Sequence, residues 1–236
     1  MKASLSRRVV AEFVGTGFLV AAVVGSGIMA ERLSGGNAAL ALLANTIATG
    51  AALVALIFAF EAVSGAHFNP VVSFADALEH GLPYREAFAY ATAQLTGGVF
   101  GTLIAHLMFR LSLISLSQHA RSGPAQIFSE FVATFGLLCV IWGCARSRSN
   151  AAAFAVGSYI AAAYWFTAST SFANPAVTIA RSLSDTFAGI RPADVPYFFL
   201  AQIAGAGAAT ILFRWLVPSL PDVARNVVAR ETERVR

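Results

Sequence analysis

The sequence predicts an all-α membrane protein, a bundle of six transmembrane helices plus two re-entrant half-helices, built as an inverted repeat. Three observations predict it. Hydrophobic residues make up 57% of the 236 and charged residues only 12%, about half the charge of an ordinary soluble domain. Six apolar runs fall approximately at 9–30, 38–60, 86–110, 126–145, 151–168 and 195–217, each near the ~20 residues a helix needs to cross a bilayer. Two further segments, 61–79 and 168–189, each hold a central Asn-Pro and are too short to cross after their turn. A mean hydropathy of +0.69 excludes disorder, a disulfide scaffold and a water-soluble globule.

Each element has its reason. The first run follows Lys2, Arg7 and Arg8 like the core of a signal peptide, but Glu12 interrupts it and it is long enough to span, so a retained helix is expected. Gly15, Gly17, Gly25 and Gly27 within it let a neighbouring helix approach closely. Helix is the default for all six runs, because backbone groups in lipid need partners inside the segment. In 61–79, Asn69 suits an N-cap and Pro70 the first helical position, so a short helix begins there after an extended loop. Asn174-Pro175 does the same in 168–189. Cys139 and Cys144, five apart in one run, fall on different helix faces and read as small buried hydrophobes.

The halves repeat. Ala-Glu-Phe-Val-Gly-Thr at 11–16 matches Ser-Glu-Phe-Val-Ala-Thr at 129–134, an offset of 118. Asn69-Pro70-Val71 matches Asn174-Pro175-Ala176 at an offset of 105, and Ala93-Gln94 matches Ala201-Gln202 at 108. The expected organisation is one channel domain over 1–236, with repeats at approximately 1–112 and 125–220 and a basic tail at 221–236. Three spans per half turn the second half upside down relative to the first. Placing both termini in the cytoplasm puts 11 Lys and Arg inside (Lys2, Arg7, Arg8, Arg85, Arg146, Arg148, Arg214, Arg225, Arg230, Arg234, Arg236) against 5 outside (Arg32, Arg110, Arg121, Arg181, Arg191). That bias fits the positive-inside rule. The same clusters flank apolar runs instead of forming a basic face with aromatics, which argues against a nucleic-acid partner.

The two half-helices would enter from opposite faces and bring their N-termini together near the midplane. Each carries about half a positive charge there, which repels cations and protons. The Asn69 and Asn174 carboxamides offer N–H donors. The preceding loops, Gly65-Ala66-His67-Phe68 and Thr170-Ser171-Phe172-Ala173, offer carbonyl acceptors. Such a path suits small neutral solutes bearing hydroxyls. No nucleophile–base pair or metal-spaced cluster stands out, and His67 has no second ligand near it in sequence, so neither an enzyme, nor a metal, nor a cofactor is expected. An ion-coupled secondary transporter is the alternative class, since broken helices and inverted repeats occur there too; it lacks a second acidic cluster for coupling.

Ser64-Gly65-Ala66-His67-Phe68-Asn69-Pro70-Val71 and Asn174-Pro175-Ala176, with the paired Ala-Gln sites, resemble the aquaporin (major intrinsic protein) family over essentially the whole chain. The resemblance implies the six-helix fold with two half-helices, a homotetramer with one pore per subunit, and no catalysis. It implies that Glu12 and Glu130 hold the loops before the half-helices as scaffold. It places the selectivity filter at Thr49, Ala162, Ser171 and Val177. Two residues depart from the family pattern. Val71 stands where Ala is usual, and Val177 where the filter arginine is usual, which implies a wider filter without a fixed cation. Arg181, seven after Asn174, either enters the outer vestibule or pairs with Asp185; Asp76, seven after Asn69, is its counterpart at the inner mouth. The stretch around Val177 resembles a bacterial aquaglyceroporin branch associated with arsenic resistance. That implies the bacterial inner membrane and passage of arsenite, As(OH)3, with related arsenicals, glycerol and water. A general glycerol and water facilitator is the alternative within the class.

Overall fold

A computed structural model describes residues 3–147 and 151–217. Lys2, Arg148 and the tail with Arg225, Arg230, Arg234 and Arg236 lie outside the described residues, as does the Arg146 side chain. Eight helices run in the order α1 (Leu5–Leu33), α2 (Ala38–Ser64), α3 (Pro70–Leu78), α4 (Tyr84–Met108), α5 (Pro124–Ser147), α6 (Ala152–Phe166), α7 (Pro175–Ser182) and α8 (Val195–Leu216). No strand occurs among the described residues. The six long helices match the six apolar runs, and α3 and α7 are the two Asn-Pro half-helices.

One boundary moves. Residues 61–64, expected to open the first re-entrant segment, complete α2 instead. Gly65 ends that helix at φ 88°, donating its N–H to the Glu61 carbonyl. An L side chain resists that left-handed conformation, so the stop falls on the glycine. By length and composition four helices are apolar enough to cross a membrane: Leu5–Leu33, Ala38–Ser64, Pro124–Ala145 and Pro192–Leu216. Helix α6 has only 15 residues. Helix α4 carries Gln94, Thr102 and His106, all buried, whose Nε2, hydroxyl and ring nitrogens find partners inside the protein.

The packing is two-fold in pattern. Helix α1 lies along α4 and α2, and α5 lies along α8 and α6, with α2 against α6 joining the halves. The α1–α4 contact is so close that a Cβ added to Gly97 would stand 2.3 Å from the Phe13 carbonyl oxygen. The equivalent atom on Gly205 would stand 2.5 Å from the Phe131 carbonyl oxygen across α5–α8.

Both ends of the described chain sit at one face. Arg8 in the first turn of α1 pairs with Glu86 in the first turn of α4 at 2.8 Å. Arg214 in the last turn of α8 pairs with Glu79 and donates to the Leu78 carbonyl at 2.9 Å, both at the end of α3. The end of α7 lies at the opposite face, where Ser115 and Ser117 of the α4–α5 connection donate their N–H groups to the carbonyls of Leu183 and Ser182 at 3.0 Å each.

Candidate functional site

Helices α3 and α7 meet at their N-termini. Each asparagine caps its own helix. Asn69 Oδ1 accepts from the Val71 N–H at 3.1 Å, and Asn174 Oδ1 accepts from the Ala176 and Val177 N–H groups at 2.9 and 3.3 Å. Each then reaches into the other half. Asn69 Nδ2 donates to the Ala173 carbonyl and Asn174 Nδ2 to the Phe68 carbonyl, both at 2.8 Å. A carboxamide carries two N–H donors, so one on each asparagine is spent on joining the halves and one is left. Pro70 and Pro175 occupy first helical positions, where no N–H is required. Val71, the departure from alanine, is buried in the main apolar core with Val177.

The loops before the asparagines share an unusual backbone. Gly65, Ala66 and Phe68 have φ of 88°, 51° and 50°; Thr170, Ser171 and Ala173 have 60°, 49° and 48°. The pairs match at the same offset of 105. Two non-glycine left-handed residues in the first loop and three in the second are held only where surroundings enforce them. Here a buried carboxylate does so. Glu12 accepts from Ser64 Oγ, the N–H groups of His67 and Phe68, and Gln94 Nε2, at 2.6, 3.0, 2.7 and 2.7 Å. Glu130 accepts from Ser169 Oγ, the N–H groups of Phe172 and Ala173, and Gln202 Nε2, at 2.6, 2.8, 2.9 and 2.7 Å. The glutamines also donate to Ser73 Oγ of α3 and Thr178 Oγ1 of α7, at 2.9 Å each. Donors on both oxygens of each carboxylate offset part of the cost of burying it.

The far ends of the half-helices differ. On the α3 side His67 Nδ1 lies 3.1 Å from Ser73 Oγ, its Nε2 faces Asp76 Oδ2 at 3.9 Å, and its ring meets Tyr90 edge-on. On the α7 side Phe172 holds the position of His67 and Arg181 that of Asp76. The Arg181 guanidinium lies over the Phe172 ring, 3.4 Å from its centroid, and its Nε donates to the Ala188 carbonyl. Arg121 from the α4–α5 connection stands over the same ring at 5.0 Å and donates to the carbonyls of Gly189 and Ser169 at 2.8 and 3.1 Å. Burial pulls the Arg121 guanidinium down to about 10, so it stays charged at neutral pH.

Of the two placements open to Arg181, the pairing with Asp185 is not formed: Asp185 Oδ1 accepts from the Gln118 N–H at 2.8 Å, and Arg181 turns to the Phe172 ring. Of the four residues expected in the filter, Thr49, Ser171 and Val177 are buried. Ala162 is not with them. It lies on the exposed arc of α6 with Phe154, Ser158 and Trp165. Counting residues back from Asn174 fixed its height along the helix but not the rotation of α6. Tyr164, on the buried arc, instead points its hydroxyl at Thr49 Oγ1, 3.4 Å away. Tyr164 and Arg121 are the residues that spacing did not find. Arg121 sits in a connection without a repeat counterpart, and only contact with Phe172 reveals it. Among the described residues no three His, Cys, Asp or Glu side chains gather as a metal site requires.

Known proteins share this architecture. The profile of the family described as major intrinsic protein matches residues 1–161 and 144–236. The chain is 56% identical over 222 residues to Aquaglyceroporin AqpS of Rhizobium meliloti (strain 1021), covering 94% of this chain and 95% of that one. It is 30% identical to Aquaporin NIP1-4 of Oryza sativa subsp. japonica, covering 88% and 76%. The crystal structure of the aquaglyceroporin from Plasmodium falciparum superposes with a TM-score of 0.68 over 93% of this chain and 100% of that one, at 21% identity, which shows the shared fold. With the reciprocal asparagine bonds and both loop brackets in place along that whole length, the chain belongs to the major intrinsic protein family.

Proposed function

We propose that the protein is a passive channel for small neutral solutes whose path crosses the bilayer between the two Asn-Pro half-helices. The observation that carries this reading is the reciprocal bonding of Asn69 and Asn174 to the opposite loops. It aligns two helix N-termini head to head and leaves one carboxamide N–H on each asparagine for a passing oxygen. The loop residues Gly65, Ala66, His67 and Phe68, and Thr170, Ser171, Phe172 and Ala173, supply acceptors along the path. The aligned dipoles oppose cations.

The filter in this reading is formed by Thr49, Ser171 and Val177, with Tyr164 in the place first given to Ala162. Without an arginine at 177, it admits solutes larger than water. Glycerol is one such solute, as the name of the 56% identical relative suggests. Arsenite is another: As(OH)3 is compact, uncharged at neutral pH and presents three hydroxyls. Asp76 with His67 lines one mouth and Arg181 the other. The Lys and Arg bias supports an orientation with the α3 mouth and both termini in the cytoplasm, and the 56% identical bacterial relative supports a bacterial inner membrane. The working unit is a homotetramer of single-domain subunits with one path each.

Flux of water, glycerol, urea and arsenite into proteoliposomes tests the reading, with wild type set against Val177→Arg. The arginine restores a donor fork and volume, so flux of glycerol and arsenite is expected to fall more than tenfold while water flux falls less. Equal loss of all four, or no change, removes Val177 from the filter. Saturable flux driven by a proton or sodium gradient would mark a coupled transporter instead.

A further inference from the structure

The two loops that carry the asparagines share a set of ties, and one of those ties changes its donor. In each loop a serine hydroxyl and two N–H groups meet the buried glutamate. A further N–H returns to that serine: Ala66 N–H to Ser64 Oγ at 3.1 Å, and Ser171 N–H to Ser169 Oγ at 3.2 Å. The exception is the carbonyl of the same serine. The Ser64 carbonyl accepts from the Tyr90 hydroxyl of α4 at 2.9 Å. The Ser169 carbonyl accepts from Arg121 Nη1 at 3.1 Å, and Arg121 belongs to the α4–α5 connection. Arg121 has no counterpart in position, but its bond has one.

Position 90 accounts for the change. Helices α4 and α8 correspond at an offset of 108, as Gln94 and Gln202 do, which sets Phe198 against Tyr90. The packing agrees. The Tyr90 ring meets that of His67 at 5.5 Å between centroids and 69°, and the Phe198 ring meets that of Phe172 at 5.2 Å and 70°. Phe198, 1% exposed, fills the same niche without a hydroxyl. Ser169 is wholly buried, so its carbonyl, like that of Ser64, needs a donor from outside the loop. Arg121 supplies it, and is itself well held. Its Nε donates to the Gly189 carbonyl at 2.8 Å, its Nη1 also reaches Thr170 Oγ1 at 3.3 Å, and its backbone N–H donates to Asp194 Oδ2 at 2.8 Å. Burial weakens the guanidinium's hold on its proton and the Glu130 charge strengthens it. The bond to Ser169 is a charge-assisted one.

We propose that Arg121 is a positioning residue for the constriction: it makes the bond that a hydroxyl at 198 would make, and so fixes the loop that presents Ser171. The two residues it holds, Ser169 and Thr170, immediately precede Ser171. Thr170 and Ser171 both have left-handed backbone, at φ 60° and 49°, which surroundings must enforce. Glu130 takes the Ser169 hydroxyl and the two N–H groups that follow Ser171. Arg121 takes the acceptors that precede it. Removing Arg121 leaves the Ser169 carbonyl and the Thr170 hydroxyl untied, and the constriction loses part of its fixed shape. A solute that fills the constriction feels that loss more than water does. The effect on solute choice rests on the channel reading above; the tie to the loop does not.

Hydrogen exchange and flux test this on one set of variants. Arg121→Gln should raise amide exchange across residues 169–173 by about tenfold, the effect of one lost charge-assisted bond on a local opening equilibrium. It should also lower the ratio of glycerol to water flux in proteoliposomes. Adding Phe198→Tyr returns the hydroxyl that Tyr90 carries in the other half, and should restore both exchange and ratio. The same Phe198→Tyr should bring no relief to Gly97→Ala, whose fault lies at a helix crossing. If Arg121→Gln does not fold, recovery of folded protein on adding Phe198→Tyr is the expected result, and no recovery overturns the proposal. Unchanged exchange in Arg121→Gln overturns it, as does raised exchange that Phe198→Tyr leaves raised. Raised exchange with an unchanged glycerol-to-water ratio removes Arg121 from the constriction. Equal relief of Gly97→Ala reduces Phe198→Tyr to a general stabiliser and overturns the proposal too. Wild type that carries neither glycerol nor water, with exchange as expected, would overturn the channel reading and leave the tie standing.

Discussion

In the first half of the molecule Glu12 gathers Ser64, the loop N–H groups of His67 and Phe68, and Gln94. In the second, Glu130 gathers Ser169, the N–H groups of Phe172 and Ala173, and Gln202. Bond for bond the two brackets are alike. Seven residues along each half-helix from its asparagine the likeness ends: Asp76 faces His67 on one side, and Arg181 lies over Phe172 on the other. The difference separates two jobs. The bracket holds three left-handed residues and a buried charge, so nearly any change leaves donors stranded. The far ends of the half-helices hold no such closed network, and there the two halves carry opposite charge.

The bracket gives the largest expected effect. Glu12→Ala and Glu130→Ala each strand four buried donors, and at about 1–3 kcal/mol for each the loss exceeds ~4 kcal/mol. Neither variant should yield folded protein in detergent, judged by circular dichroism and gel filtration. The two halves should fail alike. If one variant folds with a normal melting profile, the brackets are not equivalent and the comparison breaks at its strongest point.

Much of this was legible in the sequence, for a physical reason. Glu12, Gln94 and the asparagines are polar residues in apolar runs, and a polar group in lipid has to be there for a partner. The repeat then located the second set from the first. The mouths were harder to read. Arg181 and Asp185 stand at helical spacing, but α7 ends at Ser182, so the i+4 geometry that would join them does not exist. Ala162 failed because the family spacing carries no information on which way α6 is turned. Arg121 has no partner in the other half, so symmetry does not point to it.

The helix crossings give the next effect. Gly97 and Gly205 bring backbones together at matching places, where an added Cβ would stand 2.3 and 2.5 Å from a carbonyl oxygen. Backbone does not yield as a side-chain tip does. Gly97→Ala and Gly205→Ala should each cost about 3 kcal/mol, the upper end of overpacking penalties, and lower the thermal midpoint in detergent by similar amounts. A midpoint unchanged at one site only would show that its helix pair can separate, sharpening where the two halves differ in stiffness.

The smallest effect tests a strut that both halves build from different chemistry. At the end of α3, Glu79, wholly buried, pairs with Arg214 of α8. At the matching place beyond α7, Ser184 Oγ lies 2.8 Å from His106 Nε2 of α4. Residues 79 and 184 differ by 105, and 106 and 214 by 108, the offsets of the asparagines and glutamines themselves. The position is therefore one strut, made once by a carboxylate–guanidinium pair and once by a hydroxyl–imidazole contact. Arg214→Ala leaves a buried carboxylate without its cation. A fully buried pair would lose 3–5 kcal/mol on such a change, but Arg214 is 52% exposed. Water can reach the vacated site, so about 2 kcal/mol is expected. Ser184→Ala removes its contacts with His106 and Thr186 and should cost about 1–2 kcal/mol. Salt distinguishes the two further. Raising ionic strength should narrow the gap between Arg214→Ala and wild type, because a partly exposed pair is screened, and leave the effect of Ser184→Ala unchanged. If both respond to salt alike, the α3 strut owes nothing to its charge, and the difference in charge between Asp76 and Arg181 does not extend to the struts beside them.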